Sequence, residues 1–169
     1  MKHPIDEIKW VETSSLNPND YNPNVVFNQE LMLLEYSILR VGWIQPILVT
    51  QNLVIIDGFH RYWLARESKR VRELTDGLVP VAILELSEPD RMMLTIRINR
   101  AKGSAVALRM SDLVKKLVHE HGVAPEEICK QIGATKDEVV LLLQENVFKN
   151  LDIEHHNYSK AWYPNYSRR

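Results

Sequence analysis

The apolar positions along this chain switch between helical and strand spacing, and each switch predicts an element. Ile5, Ile8 and Trp10 suggest a short opening strand. It runs into SSLNPNDYNPN (residues 14–24), whose Asn, Asp and Pro supply turn chemistry and end regular structure. From Gln29 to Val41 the residues Leu31, Leu34, Ile38 and Val41 recur at helical spacing, and Gly42 stands where a helix C-terminal glycine belongs. Pro46–Thr50 and Leu53–Ile56 read as two strands joined by a Gln51-Asn52 hairpin turn. A helix is expected from about His60 to Arg70. Val79–Leu84 is a further strand, with Pro80 near its start, where a missing donor does least harm.

Beyond Ser87 the pattern becomes helical and stays so. Glu88–Asn99, Ser111–His121, Pro125–Ile132 and Lys136–Phe148 are four amphipathic segments, with Pro89 suited to a first turn and Gly122 to a helix end. The last twenty residues lose this period and become aromatic and polar. Cys129 reads as a small buried hydrophobe.

Composition narrows the classes. The 169 residues are 45% hydrophobic and 25% charged with a net charge of −1, so any anion site must be local rather than a global basic field. No run approaches the roughly 20 apolar residues of a membrane span, and no secretory signal opens the chain. A cytoplasmic protein without membrane contact is the expectation. One cysteine excludes an internal disulfide and a thiolate metal cage. His119, His121, His155 and His156 do not have the spacing of a convergent metal site and read as solvated.

The chemistry concentrates where Leu53-Val54-Ile55-Ile56 stops at Asp57-Gly58-Phe59-His60-Arg61. A strand that ends in a glycine turn and feeds a helix aims that helix's free N–H groups and positive dipole end outward, as an anion site requires. Gly58 removes the Cβ that would keep a ligand off the backbone. Arg61 supplies a planar fork for phosphate oxygens, and His60 a donor that can gain charge. Asp57 would repel phosphate and suits a magnesium ligand or a base instead. The same five residues also suit a plain helix start. On that reading Asp57 is the N-cap, Gly58 makes the turn, Arg61 pairs with Glu67 or another surface acid, and His60 is a surface histidine.

Ser37-Ile38, Gly42, Gln45-Pro46-Ile47 and Val49, then Gly58-Phe59-His60-Arg61, Val79-Pro80-Val81 and Asn99-Arg100 follow in an order that resembles the ParB/sulfiredoxin superfamily over most of the chain. The resemblance implies an α+β fold, a small mixed sheet with helices, followed by a helical, helix-turn-helix-like part. It implies a nucleotide-binding domain over 1–104, a helical subdomain over 105–149 and an aromatic and polar tail over 150–169. It implies further that Gln45, Pro46, Gly58, Phe59, His60, Arg61, Asn99, Arg100 and Lys102 hold a nucleotide (CTP, ATP or ADP), with Mg2+ at Asp57 bridging its phosphates.

Within the superfamily, sulfiredoxin is excluded, because Phe59 occupies the place of its nucleophilic cysteine. A branch that phosphorylates free serine has D-G-H-H-R here. It would make Asp20, Asp57 and His60 the catalytic set, with Asp20 deprotonating a hydroxyl while Asp57 holds magnesium. A third branch is DNA-associated: partition proteins, ParB-like proteins described as nucleases, and prophage IbrB-like co-activators. LNPNDYNPN, DGFHR and NRAKG most resemble the last of these. The leading expectation is a nucleotide-binding, DNA-associated regulator of transcription with at most slow hydrolysis. A phosphotransferase is the alternative. A nuclease comes third, for want of a dense carboxylate cluster.

Residues 125–140 have the outline of a helix-turn-helix, with Ile128, Ile132, Val139 and Leu143 as its inner face. The stretch from Val123 to Val147 carries five acids against two lysines, which suits duplex phosphate poorly. DNA contact is therefore expected at Arg97, Arg100, Lys102 and Arg109. Tyr158, Trp162, Tyr163 and Tyr166 in the tail suit packing, a homodimer or a protein partner.

Overall fold

The computed structural model describes residues 3–19, 28–103 and 107–144. Among them are four strands, β1 (Lys9–Glu12), β2 (Ile47–Thr50), β3 (Ile55–Asp57) and β4 (Leu78–Leu84). Seven α-helices accompany them: α1 (Asn28–Val41), α2 (Phe59–Glu67), α3 (Lys69–Leu74), α4 (Glu88–Ala101), α5 (Ala107–His119), α6 (Pro125–Ile132) and α7 (Lys136–Leu143). The architecture is α+β. Two compact units divide at Ser87/Glu88, where the apolar pattern turns helical, and α4 packs on α5 and α6 within the second.

In the first unit the sheet order is β1-β4-β2-β3, with β4 antiparallel to β1 and parallel to β2 and with β2 antiparallel to β3. Pro80 sits opposite Trp10 of β1, and the pairing of β4 with β2 starts only at Val81. Its missing N–H therefore costs that ladder nothing. The Gln51-Asn52 turn forms as expected, with Leu53 in the left-handed region at φ 57°. The core gathers Ile38 of α1, Ile47 and Val49 of β2, Ile55 of β3, Tyr62, Leu64 and Ala65 of α2, Val71 of α3 and Val79 and Val81 of β4.

Two local expectations are corrected. The opening strand starts at Lys9, after a 3-10 turn over Pro4–Glu7, and Ile5, Ile8 and Trp10 are exposed rather than buried. Ile5 and Ile8 lie ahead of this strand, which is at the sheet edge and pairs only with β4 among the described strands. The helix expected over His60–Arg70 is two helices broken at Ser68. That serine leaves helical geometry (ψ 115°) and caps α3 by accepting from the Val71 N–H at 3.2 Å. Its hydroxyl also donates to Glu35 Oε1 of α1 at 2.5 Å.

The second unit buries Met92, Met93 and Ile96 of α4, Met110, Leu113, Val114 and Leu117 of α5, Ile128 and Ile132 of α6, and Val139 and Leu142 of α7. Leu142 rather than Leu143 completes the inner face of α6–α7, one helical turn from Val139. Gly133 ends α6 at φ 66°, and Thr135 caps α7 by accepting from the Glu138 N–H at 3.2 Å. Cys129 is half-buried, not fully buried, and its thiol donates to Thr135 O at 3.6 Å across that turn. Among the described residues no helix is long and apolar enough to cross a membrane.

Replacing Ser68 by Ala removes both the α3 cap and the tie to α1. Urea unfolding of Ser68→Ala should show a loss of about 1–2 kcal/mol; an unchanged midpoint would contradict this double role.

Candidate functional site

Strand β3 delivers Asp57 to the sheet's end, and Gly58 turns the chain into α2 at φ 98°, ψ 22°. Only glycine adopts that geometry without strain. The N-cap of α2 is thus Gly58 and not Asp57, and the first intrahelical bond runs from the Tyr62 N–H to Gly58 O at 3.0 Å. The remaining amides of that first turn point out of the helix start, as any α-helix requires.

Arg61 dominates what lies around the turn. Its Nη1 donates to Gln45 Oε1 at 2.9 Å and its Nη2 to Pro46 O at 3.3 Å, which ties the Gln45-Pro46 loop to α2. Asp57 Oδ2 stands 3.6 Å from Nη2, close enough for charge attraction but too far for a hydrogen bond. Arg61 therefore pairs with Asp57 and not with Glu67, which instead meets Arg66 at 3.0 Å. A Cβ at Gly58 would lie 2.9 Å from Arg61 Nη2 and 3.2 Å from Ile47 Cα. The space that the sequence reading left for a ligand at Gly58 is filled by this guanidinium, and Gly58 is buried.

The electrostatics are uneven. Burial pushes the Arg61 guanidinium below its ordinary value, and the neighbouring Asp57 carboxylate offsets only part of that effect. Arg61 Nε is buried and meets no hydrogen-bond partner among the described residues. A cation in this position remains charged and is incompletely compensated, so a second anion at the turn gains more here than at a solvated arginine. Phe59 and His60 are half-buried, and the Phe59 ring lies 5.7 Å from that of Tyr62.

Sequence reasoning missed the role of the asparagines before the turn. The Asn17 N–H donates to Leu53 O at 2.9 Å and Asn17 O accepts from the Ile55 N–H at 2.9 Å, so this segment lies along the free edge of β3. Asn19 Nδ2 donates to Ile55 O at 2.6 Å, while its Oδ1 is buried with no partner among the described residues. A turn-rich stretch beside an edge strand was the available signal, but turn chemistry explained those asparagines without it. Asp20, next in the chain, lies outside the described residues, as does the aromatic tail.

The other candidates belong to the helical unit. Arg100 pairs with Glu138 of α7 and donates to Gly133 O at 3.4 Å, so it braces α4 against the α6–α7 turn. Arg97 is exposed, with Nη1 3.5 Å from Gln131 Oε1, and Lys102 is exposed just past α4. Asn99 is half-buried, and the Arg109 side chain lies outside what the structure describes. Among the described residues no three His, Cys, Asp or Glu side chains converge as metal ligands.

A mixed four-stranded sheet whose edge strand β3 enters α2 through Gly-Phe-His-Arg defines a ParB-type α+β domain. Residues 2–99 match the ParB N-terminal domain, and the chain belongs to that family within the ParB/sulfiredoxin superfamily. Protein YbdM of Escherichia coli K12 is 39% identical over 165 residues, covering 95% of this chain and 78% of that protein. A probable chromosome-partitioning protein ParB of Rickettsia bellii is 23% identical over 146 residues, covering 86% of this chain and 49% of its own length. The chain thus spans about half the length of that partition relative. The crystal structure of C-terminally truncated ParB from Caulobacter crescentus, complexed to the centromeric parS site, shares the fold at a TM-score of 0.52. It is 20% identical and covers 85% of this chain and 77% of that one.

Gly58→Ala should cost roughly 1–3 kcal/mol from backbone strain and displace Arg61 from Pro46. Thermal unfolding measures the first. A wild-type melting temperature in Gly58→Ala would contradict the packing described.

Proposed function

We propose that this chain is a nucleotide-binding, DNA-associated regulatory protein of the cytoplasm, with at most slow nucleotide hydrolysis. One observation carries the reading: Arg61, in the first turn of α2, is buried, incompletely compensated and locked to the Gln45-Pro46 loop. Polyphosphate would meet the first-turn amides of α2, with His60 and Arg61 as charged or chargeable donors and Gln45 and Pro46 shaping the adjoining wall. The sequence reading adds Phe59, Asn99, Arg100 and Lys102 to that ligand. Because Arg100 is committed to Glu138, it serves this role only by changing partner.

Magnesium fits in a limited way. Asp57 is one carboxylate, and Mg2+ is commonly held by one or two carboxylates together with substrate phosphates. Bound there, the ion would supply charge neutralisation, and Asp57 would turn from Arg61 toward it. The relatives named as partition proteins, and the neighbour bound to a centromeric DNA site, support a DNA-linked role. For this chain Arg97 and Lys102 are the exposed cations that such contact would use, with Arg109 beside them in sequence.

A second reading is favoured by one observation, the bond from Asn19 to Ile55, which holds Asn19 beside the strand that ends in Asp57. In it Asp20 is the base, Asp57 the magnesium ligand and His60 a donor in a phosphotransferase.

Thermal shift against CTP, ATP, ADP and GTP, with and without Mg2+, tests the leading reading. The nucleotide that binds should stabilise the fold by about 2.7 kcal/mol at a hundredfold excess over Kd. No shift with any of the four contradicts it. If Asp20→Asn keeps the shift but abolishes phosphate transfer to a hydroxyl acceptor, the second reading replaces the first.

A further inference from the structure

Helix α1 is apolar on two faces, and among the described residues only one of them is packed against the rest of the first unit. Ile38 is 4% exposed and Leu31 and Leu34 pack against the core of the first unit. On the outer side Met32 is 68% exposed, Leu33 71% and Tyr36 67%, and Ile44 just past the helix is 74% exposed. A surface helix normally carries charged or polar residues there, and a contiguous apolar face marks an interaction surface.

The charges at its ends say what covers it. Leu33, Tyr36 and Arg40 recur at helical spacing on the outer side, and Glu30 lies at the start of the same helix. Glu30 and Arg40 are exposed, and neither has an ion-pair or hydrogen-bond partner among the described residues. They are opposite in sign and flank the apolar patch. In an antiparallel pair of α1 helices related by a two-fold axis, Glu30 would face Arg40 of the second copy and Leu33 would face Tyr36 of the second copy. Each contact occurs twice. Both pairings share nearly the same crossing point, between Glu35 and Leu34, so one docking satisfies the charges and the apolar residues together. A parallel pair would set Glu30 against Glu30 and Arg40 against Arg40.

We infer that the outer face of α1 is a self-association surface on which a second copy of this chain lays its own α1 antiparallel. The contact does not depend on the nucleotide reading. One helix pair falls below the roughly 1,200 Å² of a stable interface, so the dimer is weak and concentration-dependent.

Sedimentation equilibrium of the full chain over about 5–500 µM, a range set for weak association, tests this. The wild type should be a reversible dimer, and Leu33→Glu/Tyr36→Glu should be monomeric with an unchanged melting temperature. Glu30→Arg and Arg40→Glu should each weaken the dimer roughly three- to thirtyfold, since two symmetric pairs are lost. The double reversal should restore it. A wild type that stays monomeric throughout overturns the inference. So does a dimer indifferent to Leu33→Glu/Tyr36→Glu, or a double reversal no tighter than either single one. Should the glutamate pair fail to fold, the three charge variants decide alone.

Discussion

The guanidinium of Arg61, lodged in the space that Gly58 leaves empty, is the contact on which the first unit's functional end depends. It needs a residue without a Cβ beneath it, a left-handed turn to deliver that residue, and a loop carbonyl at Pro46 to receive its donor. Remove any of the three and the Gln45-Pro46 loop, the end of β3 and the start of α2 lose their common anchor. The same burial leaves the cation only partly balanced by Asp57. A structural brace and the proposed anion contact are thus one side chain. Its stability cost and the binding role proposed for it have the same physical origin, incomplete solvation of a fixed charge.

The helical unit follows a different logic. Its α6 and α7 meet at a left-handed Gly133 and a Thr135 cap, and two groups at that junction are used inside the unit. Glu138, in the first turn of α7, is spent on Arg100, and Thr135 O accepts from Cys129. A recognition helix that opens Lys-Asp-Glu and ties its glutamate to a neighbouring helix has little left to offer duplex phosphate. Lys130 and Lys136 of α6 and α7 are exposed but stand among the exposed acids Glu126, Glu127 and Asp137, whereas Arg97 and Lys102 lie around the end of α4.

Much of this was legible in the sequence because the relevant signals are local. Apolar period placed β2, β3, β4 and α6 within a residue or two, since Ile47, Val49, Ile55 and Ile128 are buried as their spacing demands. Failures came where one residue serves two elements. Ser68 looks like one more polar helix position, yet its hydroxyl caps α3 and holds α1, a choice fixed by tertiary contact with Glu35. Leu142 rather than Leu143 faces inward because the phase of a two-turn helix is set by what it packs on. At the site, Gly58, His60 and Arg61 were visible as a motif, and the structure puts them at one turn. What the motif could not disclose is that Arg61 closes over Gly58 instead of leaving it bare. Asn17 and Asn19 were hidden because turn chemistry already accounted for them.

The central claim is that polyphosphate is held at the start of α2 by Arg61 and the first-turn amides. Backbone and Arg side-chain 15N chemical shifts during nucleotide titration of the isotopically labelled chain test it most directly. The account predicts the largest changes at the amides of Gly58, Phe59, His60 and Arg61 and at Arg61 Nε. Saturable binding whose shifts leave those five nitrogens unmoved, with the changes gathered elsewhere, would contradict it.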